Sequence, residues 1–266
     1  MHRHVKIVLS LIIFFVTAIF LNGCGTTEKN KIYKIGRDRS WYPLNMLGKE
    51  KNMLAFTDDL IYTIAENEGF KVDLESASQN ALTENLQRGV FDAIVTFRRP
   101  TDKLLRSFEF SEPFFLLGPV LVVPIYSSAK SLEDMKNKVV GIQTGASVVY
   151  NIERVPKIIF TPFENILFAM RNLAEDQIDG VIMEALPAHE YVESFYKGEL
   201  KIVPPPLTHD GIRLMALRDP VEEDLLNRFN EGLKKVKADG TFQVLIEKWG
   251  LFDPESYTGE IIPTGI

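Results

Sequence analysis

The chain has 266 residues, of which 45% are apolar, and its 30 Lys and Arg against 36 Asp and Glu give a formal charge of −6. This is the composition of an ordinary globular protein, and it excludes disorder over the whole chain. The acidic excess leaves no basic surface for nucleic acid, so no such partner is expected. A single cysteine excludes an internal disulfide and a cysteine-based zinc site. The length allows one large core or two lobes of about 100–120 residues.

The first 23 residues have the pattern of a secretory signal peptide. Arg3 and Lys6 precede a nearly continuous apolar run of 15 residues, 7–21. That run is shorter than the roughly 20 residues that a membrane-spanning helix needs, and it fits the apolar region of a signal peptide. Cleavage after this segment removes two basic residues and takes the formal charge from −6 to −8.

The signal peptide ends in a sequence that resembles a bacterial lipobox, Leu21-Asn22-Gly23-Cys24-Gly25. In such a motif the cysteine is lipidated and becomes the first residue of the mature chain. The alternative is a signal anchor with a chance cysteine. We favour lipidation, because the chain's one cysteine stands where the motif requires it. Residues 24–31 are then a lipidated tether, and several acyl chains hold the protein on a membrane.

The remaining chain alternates short β-rich runs with segments of helical periodicity, which predicts parallel sheets in α/β layers. In the first half, the predicted strands are 32–36, 71–74, 91–97 and 120–125, and the predicted helices are 58–68 and 81–88. Thr101 is placed to cap a short helical turn, and Ser131 begins another with an acid three residues on.

A second, similar series of elements follows. The predicted strands are 139–143, 158–160, 179–183, 200–203 and 212–217, and the predicted helices are one opening at Gly145 and those at 162–176, 185–194, 221–238 and 240–249. The final twenty residues contain two prolines and two glycines and read as loose, with 256–266 as a tail.

Several short motifs, in this order and spacing, resemble the bacterial periplasmic amino-acid-binding proteins of ABC importers, solute-binding protein family 3. The motifs are Ile35-Gly36-Arg37-Asp38, Ala55-Phe56-Thr57-Asp58-Asp59-Leu60, Phe91-Asp92-Ala93-Ile94, Phe110-Ser111-Glu112-Pro113-Phe114, Val140-Gly141-Ile142-Gln143-Thr144-Gly145, Ile178-Asp179-Gly180-Val181 and Ala238-Asp239-Gly240-Thr241. The resemblance covers residues 32–253. Ala55 and Ala146 depart from it, since Gly and Thr are common at those positions.

The resemblance implies an α/β, two-lobed periplasmic-binding-protein fold of type II. Each lobe is expected to be a mostly parallel sheet flanked by helices, with the ligand in the cleft between them. Lobe 1 comprises 32–120 plus 215–255, and lobe 2 comprises 121–214. Two strands, 120–124 and 212–217, are then the hinge crossings, and closure about them buries the ligand.

The resemblance also assigns ligand-binding roles within this cleft. Asp38 and Glu184 fall where the family holds the ligand's ammonium; the alternatives are a turn residue and an exposed acid at a helix start. Trp41 falls where an aromatic ring packs on the ligand. The alternative is that Trp41 is a core residue. The other expected ligand-binding positions are Gln79, Thr96, Phe97, Gln143, Ala146 and Ser147, of which the last two open a helix whose N–H groups face the carboxylate.

One expected residue is missing. The family's Thr-x-x-Arg motif supplies an arginine that clamps the ligand's carboxylate, but here Thr101-Asp102-Lys103 is followed by Leu104. Arg98 and Arg99 stand instead where small hydroxyl residues are normal. We expect Arg99, together with Arg98, to take over the carboxylate, because an unpaired buried anion weakens binding. The alternative is a solvated pair of arginines before a proline.

The expected function is therefore capture of an amino acid or related small carboxylate on the periplasmic or cell-surface side, and delivery to an ABC permease and its ATPase. No catalysis, cofactor or metal is expected, and the protein is expected to be a monomer. Two alternatives stay open. One is a dehydratase-like enzyme on the same fold, with Glu184 as general acid; the other is a sensing surface lipoprotein.

Overall fold

The computed structural model describes residues 31–42, 44–144 and 157–259. The predicted signal peptide, Cys24, the Gly145–Ser147 turn and residues 260–266 lie outside these ranges. The described strands are β1 Ile32–Arg37, β2 Lys71–Ser76, β3 Ala93–Thr96, β4 Phe108–Phe110, β5 Phe115–Leu116, β6 Pro119–Pro124, β7 Val139–Gln143, β8 Ile159–Phe163, β9 Gly180–Glu184, β10 Leu200–Val203 and β11 Gly211–Leu217.

Six α-helices and two short 3₁₀ turns join these strands within the described ranges. The helices are α1 Glu50–Glu68, α2 Gln79–Gln87, α3 Ile166–Ala174, α4 Ala185–Ser194, α5 Pro220–Ala238 and α6 Thr241–Lys248. The turns are Leu104–Arg106 and Leu132–Met135, and the second carries the predicted capping box between Ser131 and Asp134. No helix in the described part of the chain is both long enough and apolar enough to cross a membrane.

The strands form two separate sheets, one in each lobe. The first has the order β2-β1-β3-β11-β4, with β5 also paired to β11, and the second has the order β10-β6-β9-β7-β8. Each sheet was expected to be mostly parallel. In fact each holds three parallel strands, and the others join them antiparallel. The cause is the crossover, because β6 and β11 enter their sheets from the other lobe and run against the parallel strands.

Both faces of each sheet are buried, as the apolar strands predict. In the first lobe, helices α1, α5 and α6 cover one face, where Ile35, Val95 and Leu214 are buried, and α2 covers the other, where Ile94 and Met215 are buried. The second lobe has α3 and α4 on one face and the 3₁₀ turn at Leu132–Met135 on the other. These layers hold the strand ends, and therefore the cleft residues, in fixed positions.

Two predicted elements near α3 were wrong in detail. The helix expected from Pro162 begins only at Ile166, and residues 159–163 continue as the edge strand β8. Proline is tolerated on an edge strand, where one N–H is not needed. The helix starts where Asn165 can cap it, by accepting a hydrogen bond of 2.9 Å from the backbone N–H of Leu167.

The segments that cross between the lobes lie beside the predicted hinge strands rather than within them. Residues 120–124 and 212–217 belong to β6 and β11, so residues 211–214 belong to the first sheet and not to the second lobe. The crossings are 117–118 and 204–210. They are joined by backbone hydrogen bonds from Leu117 N to Asp210 O, 2.8 Å, and from Leu207 N to Pro119 O, 2.7 Å.

Glycines allow close backbone approach between the crossing segments and between the strands β5 and β11 next to them. A Cβ on Gly118 would lie 2.6 Å from the carbonyl oxygen of Thr208, and one on Gly211 would lie 2.4 Å from that of Phe115. Real Cβ atoms do not make such contacts with backbone, so both positions require glycine. The segments 117–118 and 204–210 therefore form one joined unit at the floor of the cleft.

The end of the described chain is packed and not loose. Phe252 stacks on His189 of α4 at 3.9 Å between ring centroids, and the hydroxyl of Tyr257 donates to Glu193 at 2.5 Å. The backbone carbonyl of Thr258 accepts a hydrogen bond of 2.7 Å from Ile202 N at the edge of the second sheet. Residues 256–259 thus lie on the second lobe. His189 is partly buried beside them, and burial lowers its pKa.

Candidate functional site

A cavity of about 280 Å³ lies between the two lobes. It is lined by Leu44, Phe97 and Arg99 of the first lobe, by Glu184 of the second, and by Leu117–Pro119, Thr208, Asp210 and Gly211 at the crossings. Other cavities are larger, including one of about 500 Å³ on the second lobe beside Tyr126 and Lys138. We assign the candidate site to the smaller cavity, because its lining comes from both lobes and from both crossing segments.

Arg99 enters this cavity and is held by a carboxylate from the opposite crossing. Its Nε donates to Asp210 Oδ1 at 2.6 Å, and its Nη2 donates to Asp210 Oδ2. This is the two-pronged geometry in which a guanidinium binds a carboxylate. Thr208 Oγ1 donates to Asp210 Oδ2 at 2.7 Å. The Arg99 side chain is still 51% exposed, so the cavity gives access to it.

Glu184 faces Arg99 and Asp210 from the second lobe. It is the last residue of β9 and the residue before α4, and its side chain does not cap that helix. Its carboxylate is therefore not used by the helix start. Water reaches the side chain, yet protein surrounds it on several sides. This burial raises the pKa of Glu184, the negative charge of Asp210 raises it further, and Arg99 acts in the opposite direction.

Arg213 lies beside this group on β11, paired in register with Thr96 at the end of β3. It is only 7% exposed, and its Nη2 donates to the backbone carbonyl of His209. Its Nε has no hydrogen-bond partner in the described part of the chain. Burial lowers the pKa of Arg213, while Asp210 and, to a smaller extent, Glu112 oppose that shift. Sequence reasoning did not identify this residue.

Of the predicted site residues, the structure brings Phe97, Arg99 and Glu184 together in the cavity. The other predicted positions inside the described ranges do not line it: Asp38, Trp41, Gln79, Thr96, Arg98 and Gln143. Ala146 and Ser147 fall outside those ranges. Asp210 and Thr208 were missed because no motif marks them; the only signal nearby is the run of three prolines at 204–206.

Trp41 takes the core position that was the alternative to a cleft role. It is 3% exposed, packs in the main core of the first lobe, and its Nε1 donates to Glu50 O at 3.1 Å. Asp38 similarly acts as a turn residue, because its Oδ1 accepts from Ser40 N at 2.8 Å and from Ser40 Oγ at 2.9 Å. Their expected contacts with a ligand stay predictions.

Leu104, which replaces the family's arginine, and Thr96, which precedes Arg98 and Arg99, both have a structural role. Leu104 packs on the apolar cluster between α2 and the first sheet, which explains how a hydrophobic residue is accommodated there. Thr96 is 3% exposed, and its Oγ1 accepts from the backbone N–H of Arg98 at 3.1 Å. This hydrogen bond shapes the loop that carries Arg99 into the cavity.

A two-lobed α/β architecture with a charged cavity at the crossing is that of a binding protein that holds a small ligand between its lobes. The family model of bacterial extracellular solute-binding proteins, family 3, matches residues 33–252. The chain belongs to this family, which confirms the resemblance seen in the sequence.

Known relatives agree with this assignment over nearly the whole chain. The "Probable histidine-binding protein" of Neisseria gonorrhoeae is 26% identical over 88% of this chain and 91% of its own. The arginine-binding extracellular protein ArtP of Bacillus subtilis is 23% identical over 96% and 97%. The unliganded, open L-cystine solute receptor of N. gonorrhoeae has the same fold, with a TM-score of 0.62 at 19% identity over 86% and 97%.

Proposed function

We propose that this protein binds an amino acid, or a related small carboxylate, in the cavity between its lobes and delivers it to an ABC importer. The observation that carries the proposal is the placement of Arg99 and Glu184 on opposite lobes of one 280 Å³ cavity. An α-amino acid presents a carboxylate and an ammonium, and these two side chains supply one partner for each. The volume is close to the lower end of the roughly 300–1,000 Å³ typical of ligand pockets.

The relatives support an amino acid as the ligand class, since those compared are named for histidine, arginine or L-cystine. Binding between lobes also couples capture to closure, because a ligand that contacts both Arg99 and Glu184 stabilises the closed form. A permease and its ATPase would then recognise the closed protein across both lobes.

Thermal unfolding of residues 25–266 against a panel of ligands tests this function. The panel holds the standard amino acids, dipeptides, dicarboxylates and prephenate-like acids. A ligand at 100 times its dissociation constant adds about 2.7 kcal/mol, which for a protein of this size raises Tm by roughly 5–10 °C. A shift with an amino acid is the expected result. A shift with prephenate alone, accompanied by turnover, would favour the dehydratase-like alternative, and no shift with any compound would refute the proposal.

The protein is further proposed to be a lipoprotein, anchored on the outer side of a membrane through Cys24. The lipobox-like sequence at residues 21–25 supports this. Expressed in a bacterial host with a radiolabelled fatty acid, the wild-type chain should incorporate label and fractionate with membranes. The Cys24→Ser variant should do neither and should retain its signal peptide. Equal labelling of the two chains would contradict the proposal.

A further inference from the structure

The charged groups at the cleft floor do not pair one to one. Arg99 and Arg213 are two cations. Asp210 is the carboxylate that binds Arg99 directly, and it stands three residues before Arg213 in the chain. Asp210 accepts hydrogen bonds from two nitrogens of Arg99, whereas Arg213 has a buried Nε with no partner in the described residues. Of the two guanidinium groups, the buried one is therefore the one that makes no hydrogen bond to a carboxylate in the described residues, although the charges of Asp210 and Glu112 act on it.

This arrangement has a direct consequence for ligand binding. A ligand carboxylate that is to bind Arg99 through both nitrogens meets a position already taken by Asp210. Displacing Asp210 without a new partner would leave a carboxylate in the cleft unpaired, which is costly. Arg213 is the available partner, because its guanidinium already contacts the carbonyl of His209, the residue before Asp210. Its unpaired Nε–H can donate to a carboxylate without breaking that bond.

We infer that Asp210 is an exchangeable internal carboxylate: it occupies Arg99 in the empty protein and moves to Arg213 when a ligand carboxylate replaces it. This inference rests on the proposed function for the identity of the displacing group. It accounts for two features of the site: Arg99 is already bound by a carboxylate of the protein, and Arg213 has a buried Nε without a partner in the described residues. It also balances the charges, because the freed Arg99 pairs with the ligand's carboxylate while Glu184 is left for the ammonium.

The direction in which one substitution changes the ligand affinity tests the exchange. In Arg213→Gln a displaced Asp210 has no new partner, so the amino acid that binds the wild-type protein should bind this variant more weakly. Adding Asp210→Asn to Arg213→Gln removes the competing charge and should make binding roughly two- to fivefold tighter, the value of a half-exposed ion pair. Isothermal titration calorimetry measures this. Asp179→Asn is the matched control, because Asp179 also pairs with a cation, Lys138, but far from the cavity, and its affinity should not change. Unchanged or weaker binding when Asp210→Asn is added to Arg213→Gln would overturn the exchange, since an aspartate that merely positions Arg99 or contacts the ligand predicts weaker binding there too.

A second arm needs no ligand and separates this inference from the proposed function. A double-mutant cycle measures the coupling between Asp210 and Arg213: the free energy of unfolding is determined for the wild type, Asp210→Asn, Arg213→Gln and the double variant. The same double-mutant cycle is then measured in the Arg99→Gln background, so that all four proteins of the second cycle carry Arg99→Gln. Freed from Arg99, Asp210 should pair with Arg213, so the coupling should be larger in the second cycle; an equal or smaller value would overturn the exchange.

If Arg213→Gln does not fold, a crystal structure of Arg99→Gln replaces the cycle. Asp210 in contact with the Arg213 guanidinium is the expected result, and Asp210 bound to Thr208 alone overturns it. Failure of the wild-type protein to bind any amino acid would count against the proposed function only, because both of these measurements would still decide the exchange.

Discussion

Replacing Arg99 with alanine is expected to abolish amino-acid binding while leaving the protein folded. Arg99 is the arginine among the residues that line the cavity. Truncating one member of a charge pair that closure around the ligand buries costs about 2–5 kcal/mol, or roughly 30-fold to several thousand-fold in affinity. Arg99→Lys should recover only part of this, because an ammonium cannot form the two-pronged contact. Isothermal titration calorimetry with the ligand found in the thermal panel measures both.

Arg106→Ala provides the matched control for this experiment. Arg106 is exposed at the end of the 3₁₀ turn on the same segment of chain and does not line the cavity. Its removal should leave affinity unchanged. Near-wild-type affinity in Arg99→Ala would show that the carboxylate is held elsewhere, for example by Arg98 or Arg213. Circular dichroism and Tm of each variant establish that lost binding is not lost folding.

Glu184→Gln is the second substitution with a large expected effect, and its effects on binding and on stability have opposite signs. Binding should weaken by at least about tenfold, because the amide cannot pair with the ligand's ammonium. In the wild-type protein the affinity should fall as pH falls through the raised pKa of Glu184, since only the ionised carboxylate attracts a cation. The variant should lose this pH dependence, which titrations at several pH values would show.

The stability effect follows from the same raised pKa. Between the unfolded and the folded pKa of Glu184, the folded protein binds more protons than the unfolded chain, so its stability falls as pH rises through that window. At neutral pH the partly desolvated charge of Glu184 is a net cost, which Glu184→Gln removes. The variant should therefore be more stable than wild type to urea at pH 7 and should lose this advantage in acid. Lower stability of the variant at pH 7 would contradict the assigned cause of the shift.

The raised pKa of Glu184 and the lowered pKa of Arg213 have the same physical origin. In each case removal from water is the largest cause of the shift, and nearby opposite charge, Arg99 at Glu184 and Asp210 at Arg213, acts against it. Such groups are poorly solvated in the empty protein and gain most from a ligand that brings the missing charge. The cleft thus has cationic side chains on the first lobe and an anionic side chain on the second, an arrangement that is complementary to a zwitterion.

The sequence by itself determined the family, the two-lobed fold and three members of the cavity. Strand and helix periodicity placed most elements, and the position of Glu184 after β9 and of Phe97 and Arg99 after β3 followed from motifs next to those strands. Such predictions succeed because residues that follow parallel strands meet at one edge of a sheet, and short-range pattern is enough to locate that edge. The substitution of Leu104 was likewise visible from local alignment, and with it the expectation that another arginine was needed.

What the tertiary structure alone decided depends on contacts distant in sequence. Asp210 binds Arg99 across 111 positions, and only the crossover of the chain brings them together. Arg213 reads in the sequence as an ordinary strand residue, and its buried, unpaired Nε exists only once β3 and β11 are paired. Trp41 is buried in the core of the first lobe and is hydrogen-bonded to Glu50 O, the alternative that the sequence left open, and its expected contact with a ligand stays a prediction. Charge compensation is a property of three-dimensional neighbours, so the sequence indicated which charges this site has and the fold decided which of them are paired.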